Sequence, residues 1–199
     1  MKTRLLIATH NAHKTEEIRA ILGSDWDVSD LNAQPDAPAP EEIGATFSEN
    51  AVIKAVAASQ RFTGWVLADD SGLEVDALAG APGVRSARYA GPSATDAENR
   101  AKLLHALAGV LADERTARFR CAMVLVKEGC VRGTFEAAIV GTIISAERGE
   151  GGFGYDPLFV PEGHFETFAQ LPLSAKNAIS HRAHALAQVK DVLLWEEIV

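Results

Sequence analysis

The chain has 199 residues, 47% of them apolar and 23% charged, with a net charge of −8. That length fits one domain with a sizeable core, and the acidic balance argues against polyanionic nucleic acid as a main partner. No stretch approaches membrane-spanning length, and the apolar run in "MKTRLLIATHNAHK" is too short for a signal peptide, so a soluble, cytoplasmic protein is expected.

Arg4 to Ala8 reads as a short buried strand that turns at Thr9-His10-Asn11 into a helix. Ile18, Ile21 and Leu22 share one face of that helix, and Gly23 stops it. Trp26 to Leu31 reads as a second strand, and the proline-rich stretch Asn32 to Gly44 as a loop. Thr46 to Glu49 has capping-box spacing and opens a helix with Phe47, Ala51, Ala55, Ala58 and Phe62 inward. Trp65 to Ala68 is a strand that feeds "DDSGLEVDALAGAPGVRSARYAG", where acids and glycines suggest turns. A second capping box, Thr95 to Glu98, predicts a helix with Ala97, Ala101, Leu104, Ala108 and Leu111 inward.

Ala117 to Lys127 and Cys130 to Ile144 form a long hairpin, in which Cys130 sits opposite Lys127 and Cys121 lies far up its strand. The two cysteines should therefore not pair, which suits a reducing compartment. "ERGEGGFGYDP" is a glycine-rich loop, and the last stretch is helical from about Ser174 or Ser180 to Ile198, with Leu186, Val189 and Leu193 on one face. Early helix–strand alternation followed by a hairpin predicts an α/β fold: a mixed sheet with flanking helices.

Several positions could carry chemistry. Lys14 lies in the first turn of a helix that follows a strand, where free amides and the helix dipole favour anions. It either helps build an anion site or pairs with Glu16 or Glu17; the spacing is not that of a P-loop. In Ser180-His181-Arg182, two potential cations either face an electron-rich acceptor at a helix start or sit mid-helix in solvent. The pairs His10/His13 and His181/His184 lack the further ligands zinc needs.

Asp69 and Asp70 leave a strand on opposite sides, so one can hold a hard cation or orient water while the other caps a turn. Glu41-Glu42 offers a second acid pair, and magnesium prefers such a sparse set completed by waters and phosphates. In "GGFGYDP" an aromatic ring either stacks on a planar base or tucks into the core.

Taken together, "ATHNAHK", "EEIGATFSENAVIKA", "LADDSGLEVDALAGAPGVRSARYAG", "GGFGYDPLF" and "TFAQLPLSAKNAISHRAHAL" resemble the inosine triphosphate pyrophosphatase family over nearly the whole chain. The resemblance implies an elongated, two-lobed single domain spanning residues 1–199, with a central nucleotide cleft, usually in a homodimer. It implies magnesium-dependent hydrolysis of ITP, dITP and XTP to monophosphate and pyrophosphate, which clears them from the nucleotide pool. Thr9, Asn11 and Lys14 would bind the triphosphate, with Lys54 as an additional group and His10 and Ser71 as substrate contacts. Asp70 would be the catalytic acid residue, holding metal with Glu41; Glu42 and Asp69 are neighbours of that set. Phe153, Gly154, Tyr155, Asp156 and Lys176 would form the nucleoside pocket, and His181 and Arg182 would read the base.

A fixed Arg donor suits a 6-keto oxygen and meets adenine's amino group badly, a mismatch worth ~10⁴-fold. The chain departs from the family pattern at His10, where glycine is frequent, at Gln170 and at Ala175, where acids are common. The competing expectations are a pyrophosphatase acting on modified pyrimidine triphosphates and a nucleotide-binding sensor without turnover. An aspartyl-phosphate phosphatase ranks below both, because "ADDSG" lacks the D-x-D spacing.

Overall fold

The computed structural model of the chain describes residues 2–33 and 40–196. Of the loop expected from Asn32 to Gly44, residues 34–39 lie outside the described residues, as does Ile198, the expected end of the last helix. The strands are β1 (Thr3–Ile7), β2 (Trp26–Asp30), β3 (Trp65–Val75), β4 (Thr116–Lys127), β5 (Cys130–Ile143) and β6 (Phe159–Pro161). They form one sheet in the order β2-β1-β3-β4-β5-β6. β1 runs parallel to β2 and β3, and β6 runs antiparallel to β5, so the sheet is mixed as expected. The α-helices are α1 (Ala12–Leu22), α2 (Phe47–Ser59), α3 (Asp96–Ala106), α4 (Leu173–Ile179) and α5 (His181–Glu196). No helix among the described residues is long and apolar enough to cross a membrane.

The described residues form two compact units. One comprises the chain up to Asp70, Cys121–Ala137 and the chain from Arg182 onward. Its core packs Leu5, Ile7, Leu67, Met123 and Leu125 of the sheet with Ile18 and Leu22 of α1 and Leu186, Val189 and Leu193 of α5. The helical residues in that core recur every three or four positions, as one buried helix face requires. The other unit, Ser71–Arg120 and Ala138–His181, is built on Leu73, Leu103, Leu107, Phe119, Phe159 and Phe168. Phe119 and Phe159 meet edge to face, with ring centroids 4.7 Å apart. Cys121 is buried, Cys130 is exposed, and both thiols are free.

Three expectations change. The strand beginning at Trp65 does not stop at Ala68 but continues to Val75. Acids and glycines break strands when nothing neutralises them; here both carboxylates are paired, so the ladder runs on. Second, α3 buries Asn99 and Leu103, with Leu107 buried just past its end and Leu104 half-buried against the core, while Ala97, Ala101, Ala108 and Leu111 are exposed. Asn99 is 2% exposed because it serves as backbone glue: its Oδ1 accepts from Ala90 N–H (2.7 Å) and its amide donates to Ala87 C=O (3.1 Å). A polar residue satisfied in this way displaces the alanine face from the core. Third, the C-terminal stretch is two helices broken at Ser180, whose ψ of 156° is extended. His181 and Arg182 open α5 in burial, at 4% and 1% exposure, so the solvated reading of that pair is overturned.

The first unit is organised around a buried ion cluster. Asp69 is fully buried and takes Arg182 Nε on Oδ2 (2.8 Å) and Lys14 Nζ on Oδ1 (2.7 Å). The Arg182 guanidinium also donates through Nη1 to buried Glu17 of α1, and the Cys121 thiol donates to Asp69 Oδ2 (3.3 Å). Burial alone would raise the Asp69 carboxyl, but Arg182 and then Lys14 outweigh it and hold it well below the usual carboxylate range. Burial likewise opposes the Arg182 charge, and Asp69 and Glu17 more than offset it, so the guanidinium is held protonated more firmly than usual. Two cations and two anions cancel, which is what makes their removal from water tolerable.

Two outcomes follow from these packed polar groups. Asn99→Ala strands a backbone N–H and a C=O and should cost about 2–3 kcal/mol, read by urea unfolding. A carboxyl depressed by folding stabilises above its unfolded pKa, about 3.9, and that contribution is lost as the pH falls through the folded value. Asp69→Asn should therefore lower the unfolding free energy at pH 7 by about 3 kcal/mol. Its deficit against the wild type should shrink below about pH 4. A deficit that stays constant across those pH values would remove the Asp69 charge from the stability account.

Candidate active site

The turn between β1 and α1 arranges itself before it arranges anything else. Asn11 is the N-cap of α1, with extended backbone and its Oδ1 accepting from the N–H groups of His13 (3.0 Å) and Lys14 (3.3 Å). Thr9 Oγ1 accepts from Asn11 N–H (3.1 Å), and the His10 carbonyl accepts from the Asn32 amide (3.1 Å). The His10 side chain is exposed. These bonds fix the first turn of α1 and with it the base of Lys14. Lys14 does not pair with Glu16 or Glu17: its partner is Asp69, on another element.

On the opposite face of β3, α2 holds Asp70. Thr46 caps α2 by accepting from Glu49 N–H (3.1 Å), although the Glu49 carboxylate reaches Ala45 N–H (2.7 Å) and so skips the reciprocal bond of a full capping box. Asn50 and Lys54 lie four residues apart on one helix face. Lys54 Nζ donates to Asp70 Oδ1 (2.7 Å), and the fully buried Asn50 places its amide 3.4 Å from Asp70 Oδ2. Asn50 Oδ1 also accepts from Gly44 N–H (2.8 Å). A Cβ on Gly44 would lie 2.6 Å from that same Oδ1, so this close approach requires glycine. Two residues earlier, Glu42 brings Oε1 within 3.0 Å of Lys54 Nζ.

The two lysines converge. Lys54 Nζ is 2.9 Å and Lys14 Nζ 3.3 Å from one oxygen, the carbonyl of Asp69. Each ammonium then leans on a different carboxylate, Asp69 or Asp70, as strand alternation dictates. Burial first, and Glu42 after it, push the Asp70 carboxyl above its ordinary value, against the pull of Lys54 and Lys14. Burial would lower Lys54, but Asp70 and Glu42 outweigh it and raise it. Asp70 is thus a nearly buried carboxylate with raised proton affinity beside two cations, a pattern suited to handling water or a hard cation.

A divalent metal fits this donor set in one form only. Among the described residues no group of three or more His, Cys, Asp or Glu could hold a metal ion. Asp70 and Glu42 share the Lys54 ammonium, which marks the place between them as one for positive charge. Two carboxylates, completed by waters and substrate phosphates, is the set magnesium accepts. The acid reaching this place is Glu42; Glu41, expected as the metal ligand, is exposed. Ser71, the next residue along β3, is half-buried.

The second unit gathers another expected group. Asp156 and Lys176 form a buried ion pair, Asp156 Oδ2 accepts from Phe153 N–H (3.0 Å), and the Lys176 ammonium lies 5.0 Å from the centre of the Phe153 ring. Tyr155 is buried, and its hydroxyl donates to Ser86 C=O (2.8 Å), which answers the core-or-stacking question for that ring in favour of the core. Phe153 stays half-buried. His181 stacks on Phe119 at 5.0 Å and 11°. Arg182 is committed to Asp69 and Glu17, so a base-reading role for it rests on the resemblance and not on this geometry.

Asn50 was not singled out from the sequence, and Glu17 only as a possible partner of Lys14. The signal for Asn50 was its place one helical turn before Lys54; for Glu17, nothing in the local pattern marks an acid whose partner is 165 residues away.

The chain is similar to known proteins over nearly its whole length. The model of the Ham1 family matches residues 5–192. A protein of Geobacter sulfurreducens named dITP/XTP pyrophosphatase is 52% identical over 198 residues, covering 98% of this chain and 99% of its own. Among solved structures, the Staphylococcus aureus Ham1 protein superposes with a TM-score of 0.84 at 38% identity, covering 97% of this chain and 99% of its own. A HAM1 protein from Coxiella burnetii gives 0.83 at 40% identity, covering 96% and 98%. Matched by the family model over nearly its whole length and by relatives of the same extent, the chain belongs to the Ham1 family.

Proposed function

We propose that this chain is a dITP/XTP pyrophosphatase, an enzyme that hydrolyses non-canonical purine nucleoside triphosphates to monophosphate and pyrophosphate. The observation that carries the reading is the convergence of Lys14 and Lys54 on the Asp69 carbonyl beside the raised carboxyl of Asp70. Two ammonium groups so placed give a triphosphate its counter-charge, and a carboxylate of raised proton affinity is suited to drawing a proton from attacking water. The relative that shares about half its residues with this chain bears the name of that activity.

Within this reading Asp70 is the catalytic residue, and Asp70 and Glu42 hold magnesium, with Glu41 adjacent. Magnesium, when bound, neutralises phosphate charge as it shifts toward the leaving group. The chain's own groups do the rest. Lys14 and Lys54 exchange carboxylate for phosphate partners, Asn11 and Thr9 keep the α1 turn in place, and Asn50 and Lys54 hold the Asp70 carboxylate. Phe153 is the aromatic face for the base, since Tyr155 is spent on Ser86, and Asp156 and Lys176 supply polar contacts to the nucleoside. His181, Ser71 and His10 complete the substrate contacts. Residues 1–199 act as one catalytic domain on a small nucleotide, with neither nucleic acid nor membrane as partner, in a cytoplasmic homodimer.

Pyrophosphate release from ITP, dITP, XTP, GTP, ATP and pyrimidine triphosphates, with and without magnesium, tests the reading. Fast turnover of the first three with magnesium is expected; a pyrimidine preference, or tight binding with no hydrolysis, would overturn it. Asp70→Asn should cost ~10³-fold or more in kcat. Because folding disfavours the ionised Asp70, the same variant should unfold at an equal or higher temperature than the wild type. Activity above a tenth of wild type would remove Asp70 from the chemistry.

A further inference from the structure

The loop assigned above to the nucleoside is held from behind by one helix. At Gly154, between Phe153 and Tyr155, both backbone polar groups are taken by α3. Gly154 N–H donates to Asp96 Oδ2 (2.7 Å), and Gly154 C=O accepts from Arg100 Nη1 (2.9 Å). Asp96 and Arg100 are four residues apart and so stand on the same helix face. Arg100 Nε lies 2.9 Å from the Glu147 carboxylate, which ties the start of the same loop to the same side chain. Gly154 has φ +60°, a backbone conformation that little but glycine adopts without strain, and such a peptide holds its angle only if its surroundings fix it. Phe153 on one side is fixed at its own N–H by Asp156, and Tyr155 on the other by Ser86.

We infer that Asp96 and Arg100 are positioning residues for nucleotide selection: by gripping the two polar groups of the Gly154 peptide, they set the height and tilt of the Phe153 ring. They touch the loop, not the nucleotide. This rests on the assignment of the Phe153–Asp156 loop to the nucleoside. The argument runs through the bonds themselves. A ring can discriminate between bases only if its plane is held to within a fraction of an ångström. Phe153 is half-buried, its ring lies 5.0 Å from the Lys176 ammonium, and the backbone that carries the ring is the part α3 reaches, one residue on. That backbone is anchored at Gly154 by charged side chains rather than by water, and charge-assisted bonds are the stronger kind.

Steady-state kinetics on ITP and ATP with Asp96→Ala, Asp96→Asn, Arg100→Ala and Phe153→Ala test the inference, with thermal unfolding of each. Asp96→Ala and Arg100→Ala should each raise KM for ITP roughly tenfold, the worth of one charge-assisted hydrogen bond, with kcat changed less than about threefold. The ITP-to-ATP ratio of kcat/KM should fall with them. Asp96→Asn keeps a neutral acceptor for Gly154 N–H but gives up the charge, so KM should fall between wild type and Asp96→Ala even where the melting temperature drops. Wild-type KM in both alanine variants overturns the inference, as does an Asp96→Asn variant that is as impaired as Asp96→Ala. Phe153→Ala separates this outcome from failure of the underlying assignment. If it leaves KM and base preference unchanged, the loop does not bind the nucleoside. If it raises KM while the α3 variants do not, the loop binds but α3 does not position it.

Discussion

The first unit depends on the neutralisation of one carboxylate. Asp69 lies in the middle of a strand, fully buried, where an unpaired charge would be intolerable. Arg182 and Lys14 supply its counter-charges from the starts of α5 and α1, so one buried atom pair fixes where two helices begin relative to β3. Glu17 completes the cluster by taking the other end of the guanidinium, which ties α1 to α5 a second time. The apolar core around Leu67, Met123 and Leu186 gives the helices their faces but not their register along the sheet, because apolar contact is non-directional. The directional bonds to Asp69 supply that register. The reactive-looking side of β3 inherits it, since Asp70 cannot move without Asp69.

Much of this was legible in the sequence, for reasons that differ from element to element. The strands β1, β4 and β5, the hairpin turn and the caps at Thr46 and Thr95 rest on local chemistry, which the sequence carries directly. The opposite facing of Asp69 and Asp70 also follows from strand geometry alone. What failed was every inference that a polar residue belongs outside. The strand was expected to end at the acids, yet β3 runs through them because their partners come from distant helices. The alanines of α3 were expected inside, yet Asn99 holds that place because two backbone groups from a neighbouring segment satisfy it. Arg182 was expected either in solvent or on a ligand, and burial with two acids was not among the alternatives. Pairings across 100 or more residues leave no periodic trace, so pattern reading cannot find them.

The candidate site divides along the same line. Lys14 and the Asp69-Asp70 pair were singled out from local chemistry, and Lys54 through the resemblance, but their mutual geometry was not legible. That both ammonium groups reach the Asp69 carbonyl makes a main-chain oxygen the meeting point of two side chains. It also explains how two cations can stand close together before any phosphate arrives: a carbonyl dipole and two carboxylates hold them. Glu42, not Glu41, faces Lys54, and it stands two residues before Gly44, whose N–H is anchored on Asn50.

Asp69 and Asp70 are chemically identical neighbours driven in opposite directions. Both lose water, and for both burial is the largest influence on the proton. Asp69 receives a guanidinium and an ammonium and stays ionised well into acid. Asp70 receives one ammonium, shares it with Glu42, and ends with its proton affinity raised. Pairs of titratable groups pushed apart by their surroundings are the usual mark of divided labour in a site. Here the division has a structural consequence as well. The stabilising member holds the helices, and the destabilised member stands where the fold would be better off with a neutral residue. That Asp70 carries the raised carboxyl, while an equally placed neighbour is compensated, supports the proposal that it does the chemistry.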